Sequence, residues 1–315
     1  MTEALRASVG RAYALGDAPW VPCGGRVARV GARAVKLYST AERGRARWEA
    51  RLLRHLEGGA GYRVQALVAT VDGEDVLEHP DGSVLVTRWE DGASRDYTEI
   101  TRPGWEALGR TLAALHRRLD KGIEAPEDLR LGPRLRALDP EAERRVLERH
   151  LGEARGRNSP VAVALLEARS ALLEAHGARA RDRFPTGSDA RPGHNDYNQH
   201  NYLFPARGGV LILDWERALG VPREYEVVRS LHHLPWAAPA RARRFWDAYR
   251  AVRSLDPQRL PWALDAALTE HATKHWPVEK WLRGDPGSAE RLAALAPVVT
   301  ALKAHTDTLR RFYEW

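Results

Sequence analysis

His194-Asn195-Asp196-Tyr197-Asn198-Gln199-His200-Asn201, with Leu211-Ile212-Leu213-Asp214 shortly after it, decides how this 315-residue chain is read. The first stretch has the form H-x-D-x-x-x-x-N. The second is an apolar run ending in an acid. Tyr202-Leu203-Phe204 and Val210 to Leu213 flank a turn at 206–209, so the segment reads as a loop followed by a hairpin. Phosphoryl transfer uses groups of these types. One carboxylate orients the acceptor hydroxyl and takes its proton, while an amide oxygen and a second carboxylate hold Mg2+ against the phosphates. The competing reading is a polar loop whose Asn and Asp side chains satisfy turn backbones.

Working outward toward the N-terminus, residues 20–86 look strand-rich. Residues 27–30 and 33–38 alternate or run apolar, with Gly24-Gly25 and Gly31 as turn signals. Further strands are expected at 64–71 and 83–89, with a turn at Pro80-Asp81-Gly82. A helix falls between them, capped by Ser39 or Thr40, with Trp48, Leu52, Leu53 and Leu56 at helical spacing and Gly58-Gly59 at its end. Lys36 stands inside the strand Ala34-Val35-Lys36-Leu37-Tyr38. It is one of only five lysines in an arginine-rich chain. A compact ammonium on a strand suits phosphate oxygens, and Glu49 on the following helix suits the task of steering it. The alternative is an edge-strand lysine beside an exposed helix acid. Gly24-Gly25 could cover phosphates with backbone N–H groups or be an ordinary hairpin. No Walker-type G-x-x-x-x-G-K-[ST] occurs.

Beyond Asp91-Gly92 the texture turns helical. Residues 105–119 form an amphipathic stretch with Leu108, Leu112 and Leu115 on one stripe, and 141–153 and 161–178 read as a helical pair. His116 reads as a structural histidine. The region after Asp214 carries Trp236, Trp246, Trp262, Trp276 and Trp281 beside Glu216, Glu224, Glu226, Glu270 and Glu279. Aromatic faces with carboxylates would suit a cationic acceptor, and helix packing explains the same residues.

The totals bound the rest. The net charge of +7 favours anionic partners, but opposite charges interrupt the basic residues, and no recognition motif or arginine stripe supports nucleic-acid binding. Cys23 is the single cysteine, which excludes an intramolecular disulfide and a cysteine-based zinc cluster. No apolar run reaches membrane-spanning length and residues 1–10 lack a signal-peptide core, so the expected location is cytoplasmic, with no membrane partner.

These motifs resemble those of the aminoglycoside phosphotransferase and choline kinase-like family, from about residue 22 to residue 281. The resemblance implies an α+β, bilobal protein-kinase-like fold. A small antiparallel-sheet N-lobe with one key helix would span 1–91, and a larger, mainly helical C-lobe would span 92–315. It implies Asp196 as catalytic base with His194 bracing the loop, and Asn201 and Asp214 as Mg2+ ligands. Lys36 and Glu49, Gly24 and Gly25, and the backbones of Arg88 and Glu90 would meet ATP. Asn195 stands where the family usually has Gly, and Asn tolerates left-handed backbone well. The activity implied is transfer of the γ-phosphate to a hydroxyl of a small molecule: an amino alcohol, a sugar or an aminoglycoside-like compound. The protein would work as a monomer or homodimer without nucleic acid. A catalytically inactive kinase-like scaffold is the alternative.

Overall fold

The computed structural model describes residues 2–313. In chain order the strands are β1 (Trp20–Pro22), β2 (Val27–Val30), β3 (Arg33–Tyr38), β4 (Arg63–Val64), β5 (Leu67–Val68), β6 (Leu77–His79), β7 (Gly82–Arg88), β8 (Pro192–Gly193), β9 (Tyr202–Leu203), β10 (Leu211–Ile212) and β11 (Leu219–Gly220). The helices are α1 (Glu3–Ala12), α2 (Arg43–Leu56), α3 (Arg102–Leu119), α4 (Leu131–Arg136), α5 (Pro140–Gly156), α6 (Pro160–Asp182), α7 (Arg223–Leu231), α8 (Leu234–Ala237), α9 (Pro239–Arg250), α10 (Leu260–Ala272), α11 (Trp276–Arg283), α12 (Ser288–Ala304) and α13 (Thr306–Tyr313). They group into two compact units. One runs up to Ile123 and takes in Asp196–Ala218 and Asp247–Arg253. The other holds Glu124–Asn195, Leu219–Trp246 and the chain from Ser254 onward. Among the described residues, no helix is long and apolar enough to cross a membrane.

The first unit is built on an antiparallel sheet in the order β1-β2-β3-β7-β5, with β6 also paired to β7. Residues of alternate parity face opposite sides of a strand, and the two sides do different work. Val30, Val35, Val84 and Val86 form a buried cluster with Leu5 and Val9 of α1 and with Tyr13 just beyond it. Ala34, Lys36, Leu85 and Thr87, paired across β3 and β7, line a cavity on the other side. Gly82 has φ +146°, and a Cβ there would come within 2.2 Å of the Tyr38 carbonyl oxygen, so only glycine fits the pairing.

Helix α2 follows β3 through the short turn Thr40–Glu42, which carries a capping box: Glu42 Oε2 accepts from the Ser39 backbone N–H at 3.1 Å. The buried stripe of α2 is Ala46, Trp48, Glu49, Ala50, Leu52, Leu53 and Leu56. One carboxylate therefore lies on an otherwise apolar face. Trp48 Nε1 donates to the Ala218 carbonyl at 3.3 Å. The expected hairpin is present, with Leu211 opposite Leu203 and Ile212 opposite Tyr202, and β10 also pairs parallel to β4. Helix α3 starts at its cap Thr101 and buries Leu108, Leu112, Leu115 and Leu119.

The second unit is helical. Helix α6 packs against α5, α10 and α12, burying Leu165, Leu166, Leu172 and Leu173. Asp265 of α10 joins these helices by accepting from Arg179 Nε at 3.1 Å and standing 2.6 Å from His176 Nδ1.

Two features depart from the sequence reading. The strand expected over 64–71 is broken into β4 and β5, because its two pieces join different sheets: β4 pairs with β10 and β5 pairs with β7. Helix α1 was not anticipated. Its signals are the cap Thr2, which accepts from Leu5 N–H, and the apolar pair Leu5 and Val9 one turn apart. Leu5→Ala should lower the unfolding free energy by about 3 kcal/mol in urea titration, because it opens a void between α1 and the sheet. A loss under about 1 kcal/mol would mean that α1 is not part of this core.

Candidate active site

The strand β3 delivers Lys36 to the inner side of the sheet, where its ammonium is nearly buried. Its Nζ lies 3.1 Å from Glu49 Oε2, 2.5 Å from Asp214 Oδ1 and 3.3 Å from Glu216 Oε2. The predicted Lys36–Glu49 pair is present, and two more acids join it. Burial works against the charge on Lys36, but Glu49, Asp214 and Glu216 outweigh it, and the ammonium pKa is raised. Burial pushes the Glu49 carboxyl up, against the pull of Lys36 and of the Tyr38 hydroxyl, which donates to Glu49 Oε2.

Asp214 has left-handed backbone angles, φ 58° and ψ 74°. Its N–H donates to Gln65 Oε1 at 3.1 Å. Gln65 is a site residue that sequence reasoning missed. A lone amide between two short strands gives no pattern to read.

Asp196 and Asn201 are brought together. Asn201 Nδ2 donates to the Asp196 carbonyl at 2.8 Å and to Asp196 Oδ2 at 3.2 Å. Asn198 Nδ2 adds bonds to the same carbonyl and to Oδ1. Arg217 Nε stands 3.8 Å from Asp196 Oδ2. The residues before Asp196 belong to the second unit. His194 is buried there. Asn195 takes the left-handed conformation at φ 59°, as its tolerance for that region allows. Its N–H donates to Glu226 Oε1 at 2.7 Å, and a Cβ on neighbouring Gly193 would collide with Glu226. Glu226 is among the acids that the sequence reading sets beside a cationic acceptor. The structure puts it, fully buried on α7, under the loop backbone.

A cavity of about 400 Å3 in the first unit is lined by Gly24, Val27, Lys36, Glu49, Gln65, Arg88, Trp89, Glu90, His200, Asn201 and Asp214. Of the two turn glycines, Gly24 lines it and Gly25 does not. Both have positive φ, 100° and 53°, and they close a tight turn in which Val27 N–H donates to the Gly24 carbonyl. Arg88 N–H is donated to the Ala66 carbonyl at 2.8 Å, so Arg88 can offer a planar base only its carbonyl.

The acids round Lys36 suit a hard cation. One ammonium cannot neutralise three carboxylates, and Arg26, paired with Glu42 at 2.8 Å, reaches only Glu216 among the three, at 3.9 Å. Among the described residues no cluster of three or more His, Cys, Asp or Glu could hold a metal by itself. A Mg2+ ion would need only one or two carboxylates, with phosphates and water completing its shell.

Part of the aromatic and acidic set after Asp214 is engaged in packing inside the second unit. Trp262 Nε1 donates to the Ala180 carbonyl, and Trp246 packs on Phe312 and Tyr313. Glu224 accepts from Asp256 N–H, and Glu270 accepts from Tyr225 and Arg229. The packing explanation holds for these residues. His116 is buried with Nδ1 2.6 Å from the Tyr249 hydroxyl, a structural contact.

Glu49→Leu should destabilise the chain by about 3 kcal/mol, because it strips a buried ammonium of its most buried partner. Lys36→Met in the same chain should restore most of the loss. The raised Lys36 pKa means that the cluster is intact at neutral pH and is lost as pH rises through that value. Wild type should therefore lose more stability in alkaline solution than Lys36→Met does. Equal alkaline losses in urea titration would contradict a stabilising cluster.

Solved structures share the fold. An aminoglycoside phosphotransferase from Alicyclobacillus acidocaldarius is 19% identical, with TM-score 0.63, over 98% of this chain and 96% of its own. An amicoumacin kinase in complex with AMP-PNP and Ca2+ is 13% identical, with TM-score 0.67, over 95% and 93%. A microcompartment-associated aminopropanol kinase is 16% identical, with TM-score 0.63, over 98% and 99%. No curated protein matches the chain by sequence. The model of the APH phosphotransferase enzyme family matches residues 26–262, three quarters of the length, and the chain belongs to that family.

Proposed function

We propose that this phosphotransferase is a Mg-ATP-dependent kinase that transfers the γ-phosphate to a hydroxyl of a small molecule, with Asp196 as the base. The observation that carries this is the buried Lys36 ammonium held between Glu49 and Asp214 at the wall of the 400 Å3 cavity. An ammonium fixed this way binds the α- and β-phosphate oxygens, and Glu49 keeps it pointed at them. Gly24 covers the phosphates with backbone, and the hinge backbone at Arg88 and Glu90 meets the base. Asp214 and the Asn201 amide oxygen would hold a divalent ion, which would draw negative charge off the phosphates. Asn201 also donates to the Asp196 carbonyl, so one side chain ties the metal site to the base. AMP-PNP and Ca2+ in the amicoumacin kinase complex support a nucleotide with a divalent ion.

In the reaction, the acceptor hydroxyl oxygen forms a bond to the γ-phosphorus while the bridging P–O bond breaks and ADP leaves with the electron pair. Asp196 takes the hydroxyl proton, and His194 braces the loop that presents it. An amino alcohol, a sugar or an aminoglycoside-like compound can supply the hydroxyl. Arg217 near Asp196, and the engagement of Glu224, Glu226 and Glu270 inside the fold, favour a neutral or singly charged acceptor over a polycation. The scaffold alternative has no missing base or metal ligand to rest on.

ADP release from Mg-ATP is the test, run across amino alcohols, sugars, hydroxy acids and aminoglycosides. One acceptor class should stimulate it. Asp196→Asn should cut the stimulated rate about a thousandfold with nucleotide affinity unchanged. Asp214→Ala should instead weaken Mg-ATP binding, read by calorimetry. Full turnover in Asp196→Asn would rule out Asp196 as the base.

A further inference from the structure

Arg26 follows the Gly24-Gly25 turn between β1 and β2. Val27, next in the chain, stands opposite Lys36 and lines the cavity, as Gly24 does. The side chains of Lys36 and Tyr38 share one side of β3, and Arg26 lies on that side too. Its guanidinium carbon is 5.5 Å from the centre of the Tyr38 ring, and Lys36 Nζ is 5.4 Å from the same centre. Glu216 Oε2 stands 3.3 Å from Lys36 Nζ and 3.9 Å from Arg26 Nε. Two cations of the first unit therefore flank one carboxylate oxygen.

Each cation is steered by an acid of the same segment. Glu42 ends the turn before α2, and Glu49 lies about two helical turns further on. Glu49 pairs with Lys36. Glu42 Oε1 accepts from Arg26 Nη1 at 2.8 Å, and its other oxygen accepts from the Ser39 N–H at 3.1 Å and the Ser39 hydroxyl at 2.7 Å. The capping box thus fixes the carboxylate that fixes the guanidinium. Arg26 and Glu42 each keep 38% of their side-chain surface, and an ion pair that exposed contributes little to stability. What the pair does is place the rest of the guanidinium. Glu42 takes Nη1. The Nε–Nη2 edge, the one that can grip a phosphate with two parallel bonds, is the edge that approaches Glu216, and 3.9 Å is too long for a hydrogen bond.

We propose that Arg26 is a second phosphate-binding cation, which grips the outer phosphates of the nucleotide with its Nε–Nη2 edge while Glu42 holds Nη1. The inference rests on the nucleotide reading of the cavity beside Lys36. Lys36 takes the inner phosphates as a point charge, and Arg26 takes the outer ones as a planar fork. The Glu216 oxygen that both cations flank marks where an anionic oxygen can meet the two together. Glu42 is then a positioning residue, acting on the nucleotide only through Arg26.

The test is calorimetric binding of ATP and of AMP to the full chain in Mg2+. Arg26→Gln should weaken ATP binding about tenfold and leave AMP, which lacks the outer phosphates, unchanged. Arg26→Lys should stay several-fold weaker than wild type for ATP, because an ammonium has no fork to serve Glu42 and a phosphate together. Glu42→Ala should weaken ATP binding about threefold in the wild-type background and not at all in Arg26→Gln, the coupling expected of a residue that acts through another. Equal ATP affinity in wild type and Arg26→Gln would overturn the proposal and leave the kinase reading standing. So would an equal loss for AMP and ATP, which would mark a role in shaping the sheet. A wild-type chain that binds no Mg-ATP would overturn the kinase reading and this inference with it.

Discussion

The Lys36 ammonium among Glu49, Asp214 and Glu216 is the interaction on which the first unit turns. Three of its four members come from separate elements: β3, α2 and the segment after the β9–β10 hairpin. Burying an ion pair is weak evidence for stability, because desolvation cancels much of the attraction. The pairing therefore reads as a device for geometry. It fixes the helix, the strand and Asp214 relative to one charge. Glu216 adds a third carboxylate to the same ammonium.

Register makes the cluster work. Lys36 sits opposite Leu85, and Val35 opposite Val86. A slip by one residue would turn Lys36 into the apolar cluster under α1 and present Val35 to the cavity. Gly82 guards against that slip, since its close approach to the Tyr38 carbonyl oxygen admits no side chain. The valines packed on Leu5 and Val9 hold the opposite side. A core that looks purely structural thus decides which way the Lys36 side chain points.

Most of this was legible because it is carried by residue type at fixed spacing. Asp196, Asn201 and Asp214 stand out by pattern, and Glu49 stands out as an acid on the buried stripe of α2. Groups that act through a single long-range contact were not legible. Gln65 lies 149 residues from the N–H it accepts, and Glu226 lies 31 from its own. No local period encodes either contact.

Asn195 and Asp214 link the missed residues to the recognised ones. Both are non-glycine residues with left-handed backbone, φ 59° and 58°, flanking the segment that holds Asp196 and Asn201. Such conformations cost roughly 1–3 kcal/mol and persist only where the surroundings over-determine them. Each of these two N–H groups is accepted by a side chain from another element: Glu226 for Asn195 and Gln65 for Asp214. Glycine at position 195 would relieve the strain and also free the loop. Asn195 with Glu226 instead gives a stiffer turn, held by a buried carboxylate, immediately before Asp196. The two residues least visible in the sequence are thus the ones that keep the most visible motif in shape.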